Sequence, residues 1–132
     1  MALIHINANT FEQAVEKSPM LIVDFWASWC GPCLRFAPTF ESVSQDNDDV
    51  TFAKFQTDAS PENQAFFESS GMRAVPTLLL FKEGNLLSAI PGALRRSDLN
   101  EVIGNLRDFD LSQIPQQADD EADADSEAPA AA

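Results

Sequence analysis

Cys30 and Cys33 are the only cysteines of the chain, and only Gly31 and Pro32 separate them in VDFWASWCGPCLRFAP, residues 23–38. Two thiols at this spacing could clamp a metal, staple a loop, or cycle between dithiol and disulfide. A protein zinc site takes four ligands, and the chain offers two cysteines and one distant histidine, His5, which leaves only a clamp shared between molecules. A staple across two residues constrains almost no loop and stabilises little. A C-x-x-C pair beside a βαβ pattern in a cytosolic chain reads as a redox motif.

The flanking residues suit that chemistry. MLIVDFWA, residues 20–27, is almost continuously apolar, as expected of a strand covered on both faces of a parallel sheet. The chain then turns at Gly31 and enters a helix in which Pro32 occupies the first turn, where its missing N–H has no partner to lose. Cys30 falls at the helix start and Cys33 one turn in. Side chains three apart on a helix have Cβ atoms ~5–6 Å apart, and a small adjustment reaches the ~3.5–4.5 Å that a disulfide needs. Unpaired N–H groups and the helix dipole favour an anion at that end and lower a cysteine pKa. Cys30 is therefore read as the exposed nucleophilic thiolate. Cys33 shares an apolar stripe with Phe36, Ala37 and Phe40, so it is read as the buried resolving thiol. Asp24 lies within the apolar strand, where burial raises a carboxyl pKa. Lys54, in the adjacent strand pattern FAKF, is its expected charge partner. Trp29 is expected to shield the thiols and Trp26 to pack beneath them.

Other elements must hold this strand–turn–helix unit. Residues 2–7 read as a strand, followed by a helix that Thr10 caps with Gln13 in capping-box spacing. Residues 50–57 read as a second central strand. Ser60 and Pro61 open another helix, which Gly71 stops. TLLLFK and NLLSAI flank Glu83-Gly84 as a β-hairpin over 77–90. Leu99, Val102, Ile103 and Leu106 mark one face of a final helix starting near Ser97. The order β-α-β-α-β-α-β-β-α predicts an α/β fold, with a mixed central sheet carrying helices on both faces.

Composition narrows the class. The net charge of −13 disfavours nucleic acid, because phosphate binding needs a positive footprint. No apolar run is long enough for a transmembrane helix, and no export signal is recognised at the N-terminus, so the expected location is cytoplasmic. From Gln116 onward the sequence carries six acidic residues, no basic one and no large apolar one. Such a segment cannot offset the entropy of ordering it. The expected division is a folded domain over 1–110 and an acidic, disordered tail over 111–132.

Taken together, VDFWASWCGPC, Pro38, Lys54 in FAKF, RAVPTLLLFKEG and Gly92 in PGAL resemble the thioredoxin family over about residues 3–108 in one register. The resemblance implies a five-stranded mixed sheet flanked by four helices. It implies a monomer that reduces disulfides in target proteins through Cys30 and Cys33, needs no cofactor beyond that dithiol, and is recharged by a thioredoxin reductase. It also implies a cis peptide before Pro76, packed against the cysteines. Val75 would then offer a short backbone edge to an extended substrate. Asp24 would exchange protons with Cys33, and Trp29, Gly31, Pro32, Val75, Pro76 and Gly92 would line the docking surface. Gly92 can equally be a plain turn residue. A non-catalytic binding module on the same fold is the second reading, and an oxidase or isomerase the third.

Two departures stand out. Many family members carry lysine directly after the second cysteine; here Leu34 takes that place and Arg35 follows. An apolar Leu34 would remove some thiolate stabilisation and enlarge the apolar docking surface, while Arg35 would restore part of that charge but is expected to point elsewhere on the helix. The acidic tail reads as a solvated extension, or as a segment that folds back over Arg73, Arg95 or Arg96.

Overall fold

The computed structural model describes residues 3–113. Five strands and four α-helices alternate in the expected order: β1 Leu3–Ile6, α1 Phe11–Lys17, β2 Met20–Trp26, α2 Gly31–Gln45, β3 Thr51–Gln56, α3 Pro61–Ser69, β4 Thr77–Lys82, β5 Asn85–Pro91 and α4 Arg96–Asp108. A short 3₁₀ turn, Leu111–Gln113, follows α4. The strands form one sheet in the order β1-β3-β2-β4-β5. β1–β3 and β2–β3 pair in parallel, whereas β2–β4 and β4–β5 are antiparallel. The acidic segment anticipated at the C-terminus lies, beyond residue 113, outside the described residues.

β2 is central and has lost its alternation for the reason read from its sequence: Leu21, Ile22, Val23, Asp24 and Phe25 are all buried. Its two faces feed two cores. Ile22, Phe52 and Leu78 pack with Phe36 and Phe40 of α2 and with Leu99 and Ile103 of α4. On the opposite face, Phe25, Phe55 and Phe81 pack with Phe11 of α1 and Phe66 of α3. Ring centroids there lie 4.6 Å apart for Phe25–Phe55 and 4.8 Å for Phe11–Phe66. Such aromatic pairs contribute about 0.5–1.5 kcal/mol each beyond their buried area.

Local signals decide most element ends. Ser60 is extended and its Oγ accepts from the Asn63 N–H at 3.0 Å, so the predicted cap and Pro61 open α3. Gly71, at φ +88°, follows its end. Glu83 and Gly84 both have positive φ, as a tight two-residue hairpin turn requires. The predicted Thr10–Gln13 capping box is not formed. Thr10 Oγ1 instead accepts from the Asn7 N–H at 2.9 Å, and the Asn7 carboxamide oxygen accepts from the N–H groups of Asn9 and Thr10. This local side-chain turn competes with the cap and leaves the Thr10 backbone helical rather than extended.

Asn63 is a polar brace at the ends of β1 and β3. Its buried side chain accepts from the Ala8 N–H at 2.8 Å and donates to the Gln56 carbonyl at 2.9 Å. Truncation would leave two backbone groups without these partners. Asn63→Ala is expected to lower unfolding free energy by about 1–3 kcal/mol, read as a reduced urea midpoint.

Candidate active site

β2 ends at Trp26, and a short turn delivers Cys30 to the start of α2. Cys30 is the N-cap residue, extended at φ −93° and ψ 109°, and its Sγ accepts from the Cys33 N–H at 3.1 Å. Sulfur thus stands where an oxygen of Ser or Asp usually caps a helix. A thiolate there meets the backbone donors and positive dipole end that lower its pKa. The two cysteines are joined in a disulfide with Cα atoms 5.3 Å apart.

The expectation of an exposed Cys30 beside a buried Cys33 is corrected. In the disulfide form Cys30 is 4% exposed and Cys33 1%, because Ala27, Trp26 and Val75 pack around the pair. Position separates the two sulfurs more than exposure does. Cys30 Sγ sits at the cap, 3.6 Å from the Val75 carbonyl oxygen. Cys33 lies on the buried face of α2 with Phe36 and Phe40.

The Val75–Pro76 peptide is cis, and Pro76 is buried while Val75 is half-buried. Gly92 belongs to the same corner. At φ +94°, it donates its N–H to the Pro76 carbonyl at 2.8 Å. Thr77 Oγ1 donates to the Ala74 carbonyl at 2.6 Å, closing the loop on itself. Pro32, on the first turn of α2, is exposed.

Asp24 and Lys54 are register partners on β2 and β3, and Lys54 Nζ lies 3.8 Å from an Asp24 carboxylate oxygen. Asp24 is 0% exposed, and neither of its oxygens has a hydrogen-bond partner among the described residues. Burial raises its pKa from 3.8 to about 6, and Lys54 pulls partly in the other direction. Lys54 also lies 4.9 Å from the centroid of the Trp26 ring, within cation–π range. Trp26 therefore joins the site as the floor of this charged pair.

Three residues that sequence reading passed over brace the turn between β2 and α2. Asp58 accepts from the Ser28 N–H at 3.1 Å, from Ser28 Oγ, and from Gln56 Nε2 at 3.1 Å. In sequence Asp58 is one more polar residue of a turn-like TDASP stretch; only β3 running beside β2 brings it to Ser28. The surface above is apolar, with Trp29 73% and Leu34 51% exposed. Arg35 corrects a second expectation. Its guanidinium folds back along α2, 3.3 Å from where a Cβ on Gly31 would stand. His5, on edge strand β1, takes no part.

A family model described as Thioredoxin matches residues 2–105. A putative thioredoxin 2 of Streptomyces coelicolor is 38% identical over 112 residues, covering 84% of this chain and 81% of the relative. A thioredoxin of Acidithiobacillus ferridurans is 39% identical over 104 residues, covering 77% and 94%. Among solved structures, oxidised mitochondrial thioredoxin 3 of Saccharomyces cerevisiae matches with a TM-score of 0.68 at 30% identity, covering 78% of this chain and 94% of that one. The short form of spinach chloroplast thioredoxin F matches with a TM-score of 0.72 at 30% identity, covering 80% and 94%.

The Asp24 pKa carries a stability consequence. Because its folded value, about 6, exceeds the ordinary 3.8, the folded protein holds this proton more tightly than the unfolded chain. The stabilisation is complete below pH 3.8 and is lost as the pH rises through 6. A shift of this size corresponds to ~3 kcal/mol at full ionisation. Asp24→Asn is therefore expected to be more stable than the wild type at pH 8 by about 2–3 kcal/mol. Denaturant titrations at pH 8 and in acid should show that difference closing as the wild-type carboxyl protonates.

Proposed function

This chain belongs to the thioredoxin family and is a protein-disulfide oxidoreductase working by dithiol–disulfide exchange; from that premise we propose that Cys30 is its nucleophile, Cys33 its resolving thiol and Asp24 its proton acceptor. One observation carries the assignment: Cys30 Sγ caps α2 through the Cys33 N–H, with Cys33 itself one turn inside the buried face. In the reduced protein, the Cys30 thiolate attacks one sulfur of a target disulfide. The target S–S bond breaks, a mixed disulfide forms, and the first target thiolate leaves and takes up a proton. Asp24 then accepts the Cys33 proton, directly or through water, and the Cys33 thiolate attacks Cys30 Sγ. The mixed disulfide breaks, the second target thiolate leaves and takes up a proton, and two electrons have passed from the dithiol to the target.

The surroundings have supporting parts in this cycle. Val75, whose carbonyl already faces Cys30, offers backbone groups to an extended target segment. Buried Pro76 and the Gly92 N–H hold that edge in place, while Trp29, Gly31 and Pro32 form the facing rim. Lys54 limits how far the Asp24 pKa rises. A carboxyl near 6 is poised for proton exchange close to neutrality.

The fuller reading is a general reductant acting as a cytoplasmic monomer. Its target proteins carry disulfides, and a thioredoxin reductase returns electrons to the Cys30–Cys33 disulfide. Residues 1–110 are its redox domain and residues 111–132 an acidic extension that the domain does not need in order to fold. Limited proteolysis should trim the extension and leave a core of unchanged melting temperature.

Trapping tests the mechanism. Cys33→Ser, exposed to cell extract, is expected to accumulate many targets as mixed disulfides through Cys30, and Cys30→Ser to accumulate none. A dedicated binding module would instead hold one partner, with binding that survives loss of both sulfurs. In single-turnover kinetics at pH 7, Asp24→Asn is expected to slow resolution by about ten-fold or more while the first attack changes little.

A further inference from the structure

Arg35 and Arg73 form no ion pair or side-chain hydrogen bond among the described residues, where the ion pairs are Asp24–Lys54, Arg95–Asp98 and Asp49–Arg107. Both are exposed, and each stands beside one wall of the thiol site. Arg35 folds back over Gly31, the residue that follows Cys30, from the α2 side. Arg73 precedes Val75 by two residues, on the wall whose carbonyl lies 3.6 Å from Cys30 Sγ. Arg73 also lines a groove of about 710 Å³ with Met72, Leu79, Leu86, Ala89 and Pro91.

Asp58, which braces the turn before Trp29, keeps its charge but has its acceptors engaged. Asp58 accepts from Ser28 N–H, Ser28 Oγ and Gln56 Nε2, so its lone pairs are largely committed within the fold. Arg35 and Arg73, neither of them paired among the described residues, are thus the cations beside the site of this acidic protein, at net −13. Charge interactions decay over ~8 Å at physiological salt, so charges in contact with a docked segment outweigh the distant carboxylates.

The geometry points to protein disulfides flanked by acidic side chains as the preferred targets, with Arg35 and Arg73 pairing the flanking carboxylates across the apolar platform of Trp29, Leu34 and Val75. This rests on the reading of the site as a disulfide reductase and adds the charge class of its substrate. Arg35 supplies, from the second position after Cys33, a cation that Leu34 does not, and Leu34 remains free to extend the apolar contact. The arginines bind flanks and take no part in electron transfer.

Three disulfide-linked peptides test this, identical except for glutamate, glutamine or lysine on both sides of the cysteine. Each is mixed with the reduced full-length protein at physiological salt, and second-order rates are measured. The wild type should reduce the glutamate peptide about five-fold faster than the lysine peptide, the size expected of two exposed ion pairs. Arg35→Gln with Arg73→Gln should bring that ratio to unity or invert it. The lysine-for-arginine double variant should keep it above one, and Lys17→Gln, on α1 at the far end of β2, should leave it at the wild-type value. A wild-type ratio at or below one, or a preference that survives loss of both arginines, overturns the proposal. Failure to reduce even the glutamine peptide would instead overturn the reductase reading beneath it.

Discussion

A single hydrogen bond, from the Cys33 N–H to Cys30 Sγ, ties the chemistry to the architecture. It is a helix cap, so it exists only if α2 begins at Gly31, and α2 begins there only because β2 ends and turns just before it. On the proposed assignment, the cap makes the nucleophile part of the secondary structure. A thiolate satisfies the helix end better than a thiol does, so the fold itself favours the reactive form. Cys33, held one turn away by helical geometry, cannot compete for that role, yet it stays within bonding reach. The near-equal burial of the two sulfurs in the disulfide form makes this positional difference the one that matters.

The sheet supplies what the helix cannot. Parallel pairing of β2 with β3 sets Lys54 opposite Asp24, and the packing of both sheet faces removes Asp24 from water. Burial disfavours the charged carboxylate and raises its pKa, and the Lys54 cation pulls it part of the way back. The resulting compromise, a pKa raised to about 6, arises because Lys54, at 3.8 Å, is close enough to matter but too far for a short charge-assisted hydrogen bond. This arrangement costs stability at neutral pH, a pattern expected where function sets a residue. The antiparallel side of the sheet contributes differently. β4 begins just after Pro76, and the start of β4 and end of β5 bring Gly92 against it, fixing the wall that faces Cys30.

Much of this was legible in the sequence because the signals are local. The order of elements follows from apolar runs of strand length separated by helical stripes, from Ser60-Pro61 opening α3 and from Glu83-Gly84 closing a hairpin. The C-x-x-C spacing carried the redox chemistry. The one local signal that failed, Thr10 with Gln13, failed to a stronger local competitor, the Asn7 side chain, which turns the chain before a cap can form. Arg35 failed for a different reason. Helical phase fixes where a Cβ points but not where a long flexible side chain lays its guanidinium.

By itself the sequence determined the identity and spacing of the two cysteines, the helix start at which Cys30 stands, and the apolar strand that buries Asp24. Each depends on residues within a turn or two of one another, where backbone geometry leaves few choices. Only the tertiary structure decided that Asp58 would brace the turn through Ser28 and that the Val75 carbonyl would face Cys30. Those pairs lie 30 or more residues apart in the chain. Their meeting is set by sheet order and register, which arise from the packing of the whole core.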